Sequence, residues 1–169
     1  MPVLSSHKDP DALTLTVVAE FDASAERVWQ VWEDARQLER WWGPPTWPAT
    51  FETHDFVVGG QSHYYMTGPD GEKIHGRWTI TAIDAPRRFE FDDGFANDDG
   101  TPDSALPAMH GVMTLDSAQG KTLMTTVTEF ANTEHLEQML AMGMEEGMVG
   151  AMGQIDDVLA DRARQGMNA

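Results

Sequence analysis

The chain has 169 residues, 41% of them hydrophobic and 23% charged, an ordinary globular mix sized for one domain and unlike a disordered chain. It contains no Cys, so disulfide frameworks, thiolate metal sites and cysteine nucleophiles are excluded together. Eleven Lys and Arg against 28 Asp and Glu give a net charge of −17, which repels nucleic-acid phosphates and anionic membranes alike.

Residues 1–11 read as an N-terminal tail ahead of a single domain over 12–165, with Pro2 and Pro10 and little apolar content. The opening MPVLSSHKDPDALTL lacks a basic start followed by an apolar core, and no apolar run approaches the roughly 20 residues of a membrane span. A cytoplasmic protein with neither nucleic acid nor membrane as partner is the expectation. From Ala12 to Asp22, ALTLTVVAEFD alternates in the manner of a strand. Ser24 is placed to N-cap a helix with Glu26 in its first turn, and Val28, Val31, Trp32 and Ala35 share one face. A short continuation carries Leu38 toward Trp41, and Gly43-Pro44-Pro45 stops it.

The middle of the chain predicts an antiparallel meander with strands at 48–56, 61–67, 74–84, 87–93, 109–116 and 122–130. Gly59-Gly60, Pro69-Asp70-Gly71, Ala85-Pro86 and Ala118-Gln119-Gly120 supply the turns. The acidic, aperiodic stretch 94–107 reads as an exposed loop. From Asn132 onward one long helix is expected, because Leu136, Leu140, Met144, Met148, Met152, Ile155 and Leu159 recur every three or four residues, with Arg162 and Arg164 near its end. The fold class that follows is α+β: a seven-stranded antiparallel sheet covered by the one element large enough to do so, the C-terminal helix.

That helix interleaves Met139, Met142, Met144, Met148 and Met152 with Gly143, Gly147, Gly150 and Gly153. Each interior Gly costs about 1 kcal/mol against Ala, so four cost roughly 4 kcal/mol before context. Either the sheet approaches the helix closely at those positions, or space is left for a guest that adaptable Met side chains can pack around. Trp32, Trp41, Trp42, Trp47, Tyr64 and Trp78 add aromatic bulk suited to a core or to a ligand pocket, and Tyr64 and Met66 share a strand face.

No catalytic constellation is evident. His7, His54, His63, His75, His110 and His135 form neither HxxxH nor HxH, although His63 and His75 could face each other across a hairpin centred on Gly71. No metal site and no cofactor are expected. No GxSxG surrounds a serine, and Gly59-Gly60-Gln61 precedes a strand, so it is no phosphate loop. Glu129 is the best single candidate for a buried acid.

Four segments in order, VWQVWEDARQLERWWGPP, FVVGGQSHYYMTGPDGEKIHGRW, IDAPRRFEF and MLAMGMEEGMVGAMGQIDDVLA, resemble the AHSA1-like family, named for the activator of Hsp90 ATPase, within the START/Bet v 1-like (SRPBCC) helix-grip superfamily. The resemblance runs from about Thr14 to Leu159. It implies a curved sheet gripping the long C-terminal helix, two short helices after the first strand, and a cavity between sheet and helix that takes small apolar ligands in many relatives. By position it implies the Trp41-Trp42-Gly43-Pro44 turn near the mouth, Tyr64, Met66 and Trp78 on the sheet side, and Met144, Met148 and Met152 on the helix; Trp32 completes the candidate ligand-binding set. Relatives commonly carry Trp after the helix Gly, where this chain has Gly147-Met148, a change that should loosen the wall.

Members of such a superfamily differ in chemistry, so fold alone does not settle function. Three readings compete. A carrier or sensor of a small hydrophobic molecule leads. A cavity enzyme of the polyketide cyclase or hydrolase kind comes second and needs a polar group of shifted pKa inside the pocket. A co-chaperone-like protein-binding module comes third and needs an exposed apolar patch. With −17 charges and no spare apolar stripe, a monomer or loose homodimer is expected.

Overall fold

The computed structural model describes residues 3–168, and side chains as far as Asp161; Arg162 and Arg164 therefore lie outside the described side chains. Strands β1 (Val3–Asp9) and β2 (Thr14–Phe21) are followed by helices α1 (Ala25–Glu33) and α2 (Ala35–Leu38). Six strands then run in sequence: β3 (Ala49–His54), β4 (Gln61–Thr67), β5 (Lys73–Asp84), β6 (Arg88–Phe95), β7 (Met109–Ala118) and β8 (Lys121–Glu129). The chain ends in α3 (Thr133–Ala141), α4 (Met144–Met152) and α5 (Ile155–Asn168). All strands pair antiparallel in one open sheet of order β1-β2-β8-β7-β6-β5-β4-β3. This is the helix-grip arrangement, with one strand more than the seven expected. No helix among the described residues is long and apolar enough to cross a membrane.

The extra strand corrects the expected tail. Residues 3–9 add an edge strand to β2, with His7 opposite Thr16 and Lys8 opposite Leu15. Its interior side chains are exposed and, apart from Leu4, polar, so no periodic apolar signal marks it; backbone pairing with β2 and contacts from Ser6 and Lys8 to Glu145 hold it. The turn back to β2 is fixed by Asp9, whose Oδ1 accepts from the amides of Asp11 and Ala12.

The long helix is corrected too. It breaks at Met142-Gly143 and again at Gly153-Gln154. Gly143 sits at φ +88°, a left-handed conformation that glycine tolerates and other residues resist. The breaks leave the apolar spacing intact, which is why one continuous helix was expected. Around them the segments are tethered. Ser6 Oγ donates to Glu145 Oε2 at 2.8 Å, and Gln154 Nε2 donates to the Gly43 carbonyl at 2.7 Å.

Strand alternation gives the sheet one apolar face. Leu15, Val17, Ala19 and Phe21 of β2 are buried, as are Met113 and Leu115 of β7, Phe89 and Phe91 of β6, and Trp78 and Ile80 of β5. Helix α1, capped by Ser24 Oγ accepting from the Arg27 amide at 3.1 Å, adds Val28, Val31 and Trp32. Trp32 and Trp78 lie fully inside this core; the indole N–H of Trp32 points at Met124 Sδ, 3.3 Å away.

Candidate functional site

Between the other end of the sheet and helices α3 and α4 the packing opens into a cavity of about 580 Å³. Its floor is made by alternate residues of the meander: Tyr64 and Met66 from β4, Phe91, Asp93 and Phe95 from β6, and Thr126 and Thr128 from β8. Met144, Met148 and Met152 face it from α4, and Trp41 and Trp42 come from the loop after α2. Of the nine candidate residues, Trp41, Trp42, Tyr64, Met66, Met144, Met148 and Met152 border the cavity. Trp32 and Trp78 do not; they stand behind its wall as core.

The helix glycines separate along the same line. A Cβ built on Gly147 meets nothing within 4 Å, so that position faces open space and not the sheet. At Gly150 a Cβ would find only ordinary contact with Pro44 and Pro45, at 3.7 and 3.8 Å. Close approach of the sheet is therefore not what these two glycines serve.

Glycines in the sheet do the opposite. Tyr64 pairs with Gly76 across β4 and β5, and its ring lies flat over that glycine: a Cβ there would fall 2.3 Å from Tyr64 Cζ. With no side chain in the way, the phenol crosses β5 and donates from its hydroxyl to Asp93 Oδ1 on β6, at 2.9 Å. Gly111 likewise makes room for the Phe91 ring.

Asp93 is the residue the sequence reading missed. Its cross-strand neighbours on this face are Trp78 and Met109, both apolar. Burial among them raises its pKa to about 7, although the Tyr64 hydrogen bond pulls the other way. By surface area Asp93 is only half-buried, because the area left to it belongs to the cavity it lines. Tyr64 is pushed well above the usual phenol range, by burial first and by the Asp93 charge second, so it stays a donor. The Trp42 indole N–H approaches the Tyr64 hydroxyl and slightly offsets that rise, yet no acceptor meets it at full hydrogen-bond geometry. Thr126 Oγ1 is also buried without a partner. The pattern Phe89-x-Phe91-x-Asp93-x-Phe95 held the signal: alternation puts Asp93 on the apolar face. Glu129, the acid singled out instead, is exposed at the end of β8.

Of the histidines only His75 borders the cavity, and its ring is engaged by His63. His54 Nε2 donates to the Trp32 carbonyl and Nδ1 accepts from Ser62 Oγ, and burial lowers its pKa, so it is a neutral core histidine. His135 is buried, accepts from the Ala131 amide at Nδ1, and is likewise lowered by burial. His110 lies on the outer face; burial lowers its pKa, but hydrogen bonds to Asp92 and Glu90 outweigh this and raise it. His63 and His75 do face each other, Nε2 to Nδ1 at 2.9 Å, with Glu52 3.6 Å from His63 Nδ1. Glu52, His63 and His75 are a group whose ligand atoms lie close enough to hold a metal. As they stand, Glu52 and His75 approach different nitrogens of the His63 ring, so an ion would first have to break the imidazole pair.

A model of the activator of Hsp90 ATPase homolog 1-like protein family matches residues 22–160. The chain belongs to that family. A protein from Arthrobacter aurescens solved by NMR is similar over 94% of this chain and 92% of its own, with 55% identity and a TM-score of 0.90. Protein Ms6760 of Mycobacterium smegmatis, a crystal structure, is 49% identical over 94% of this chain and 97% of its own, with a TM-score of 0.87. The AHSA1 protein of Silicibacter pomeroyi shares the fold at 20% identity, covering 88% of this chain and 99% of its own with a TM-score of 0.69. No curated protein matches the chain.

Proposed function

We propose that this AHSA1-like protein binds a small hydrophobic molecule in the cavity between the sheet and α4, as a cytoplasmic carrier or sensor acting as a monomer or loose homodimer. The observation that carries the reading is Gly147, an interior helix glycine with open space before it in the wall built from Met144, Met148 and Met152. A packed core would have closed that space. Exposed Ile74 and Met142 also border the cavity, giving an apolar guest a first contact at its rim. Among the described residues the other exposed large apolar side chains, Leu4, Val57 and Val58, sit on β1 and in the β3–β4 turn, which offers the protein-binding reading little support.

Titration with the neutral dye Nile red tests the reading. Saturable binding of about one dye per chain, weakened by Met148→Trp, is expected; a folded protein that shows no saturable uptake overturns it. The enzyme reading gains one observation, a cavity acid with a pKa near neutrality. If it holds, a p-nitrophenyl ester of a medium-chain acid is hydrolysed with a rate that inflects near pH 7 and is abolished in Asp93→Asn.

A further inference from the structure

We propose that the cavity selects amphiphiles whose head is a hydrogen-bond donor, an alcohol or an amine, and rejects carboxylate and phosphate heads. This inference rests on the cavity being a ligand site.

The argument begins with the charges that face the space. Among the described residues the lining contains two carboxylic residues, Asp93 on β6 and Glu146 on α4, and one histidine, His75 on β5, whose ring is paired with His63, but neither Lys nor Arg. An anionic head would find no cation to replace its hydration, and it would sit beside carboxyl groups in a chain of net charge −17. The polar atoms already in place have a specific pattern. Tyr64 donates to Oδ1 of Asp93, and no hydrogen bond among the described residues engages Oδ2. A guest hydroxyl or ammonium is a donor of the kind that oxygen lacks. The Trp42 indole N–H is turned to the Tyr64 hydroxyl and sealed from solvent, so it offers an anionic head no open donor.

The apolar body of the guest then lies along Met144, Met148 and Met152. The titratable groups facing Asp93's cavity are Tyr64 from β4, His75 from β5 and Glu146 from α4, and of these only Tyr64 is hydrogen-bonded to it. The near-neutral pKa of Asp93 fits this role, since an incoming ammonium favours the carboxylate, whose proton leaves to solvent, and gains a full ion pair.

Three probes with the same ten-carbon chain make the test: decanol, decylamine and decanoate, each displacing Nile red at pH 8 from the full-length protein. Decanol and decylamine are expected to compete at least about tenfold more strongly than decanoate. In Asp93→Asn, whose amide still accepts from Tyr64, the advantage of decylamine over decanoate should collapse. Tyr64→Phe is the second variant; it leaves the carboxylate in place and should keep the amine preference. Decanoate binding wild type as tightly as decylamine overturns the head-group inference while leaving the cavity reading intact. Failure of Nile red and all three probes to bind a folded wild type overturns the cavity reading itself. Preference for the amine that persists unchanged in Asp93→Asn removes Asp93 from the recognition.

Discussion

Asp92 and Asp93 are neighbours in the chain, and strand alternation sends them to opposite faces of the same sheet. Asp92 accepts from His110 Nδ1 at 2.7 Å on the outer face, where Glu90 completes a solvent-side cluster. Asp93 meets Tyr64 in the cavity between Trp78 and Met109, and its proton is held to about pH 7. The residue type is identical and the backbone continuous. What differs is the surroundings: one carboxylate faces the solvent side, the other a cavity walled by apolar side chains, and desolvation there raises the Asp93 pKa toward neutrality.

The largest expected effect contrasts the two directly. An unfolded Asp releases its proton near 3.8, whereas folded Asp93 holds it to about 7, so ionisation of this group costs stability progressively as pH rises between those values. Asp93→Asn removes that cost. At pH 8 it should raise stability by about 2–4 kcal/mol, an upper range given the contact with cavity water, and at pH 4 it should change little. Asp92→Asn, which disturbs an exposed cluster, should change stability by about 1 kcal/mol or less at either pH. Denaturant unfolding of both variants at the two pH values measures this, and a pH-independent Asp93→Asn would show that the carboxyl is solvated after all.

Gly76→Ala attacks the device that lets Tyr64 reach Asp93. The new methyl would overlap the phenol ring at 2.3 Å, so the ring must lift from β5. A loss of about 1–3 kcal/mol is expected from the strain. The hydrogen bond to Asp93 should go with it, visible as a changed Tyr64 ultraviolet signature. An unperturbed Tyr64 in a stable Gly76→Ala protein would mean the ring has a second resting place.

The same contrast marks what the sequence made legible. Turn chemistry and alternation placed the six meander strands with ends off by at most two residues, and Ser24 and Asn132 were correctly placed as helix caps. Strand β1 escaped because a polar edge strand carries no apolar period, and the helix breaks escaped because Gly143 turns the chain without disturbing the spacing of the apolar residues. Asp93 escaped although it lay within the expected strand 87–93, because a lone acid at a strand end beside an acidic loop carries no pattern that marks it as buried. Bulk was equally ambiguous: Trp42 and Trp78 read alike until strand position put one on the cavity and the other behind it.

Met148→Trp sharpens the contrast on the helix side. If Met148 faces free space, the larger ring fills it, with Tm nearly unchanged and Nile red affinity lowered by about tenfold or more. If the position is ordinary core, overpacking should destabilise by about 1–3 kcal/mol and leave dye binding alone. Thermal melts and dye titration on the one variant decide between them.

The smallest effect separates two glycines four residues apart. Gly147 lies within α4 with nothing within 4 Å of an added Cβ, whereas Gly143 begins that helix at φ +88°. Gly147→Ala should stabilise by up to about 1 kcal/mol, because alanine narrows the unfolded ensemble and suits a helix interior. Gly143→Ala should destabilise by about 1–2 kcal/mol, because an L side chain in the left-handed region presses its Cβ on the following carbonyl. The added methyl at Gly147 also enters the guest space, so dye affinity should fall slightly while stability rises. Opposite signs in stability from the same substitution would locate the open wall of the cavity at Gly147 and the turn at Gly143. A destabilising Gly147→Ala would mean that something packs closely against that face, and the space read there as room for a guest would not exist.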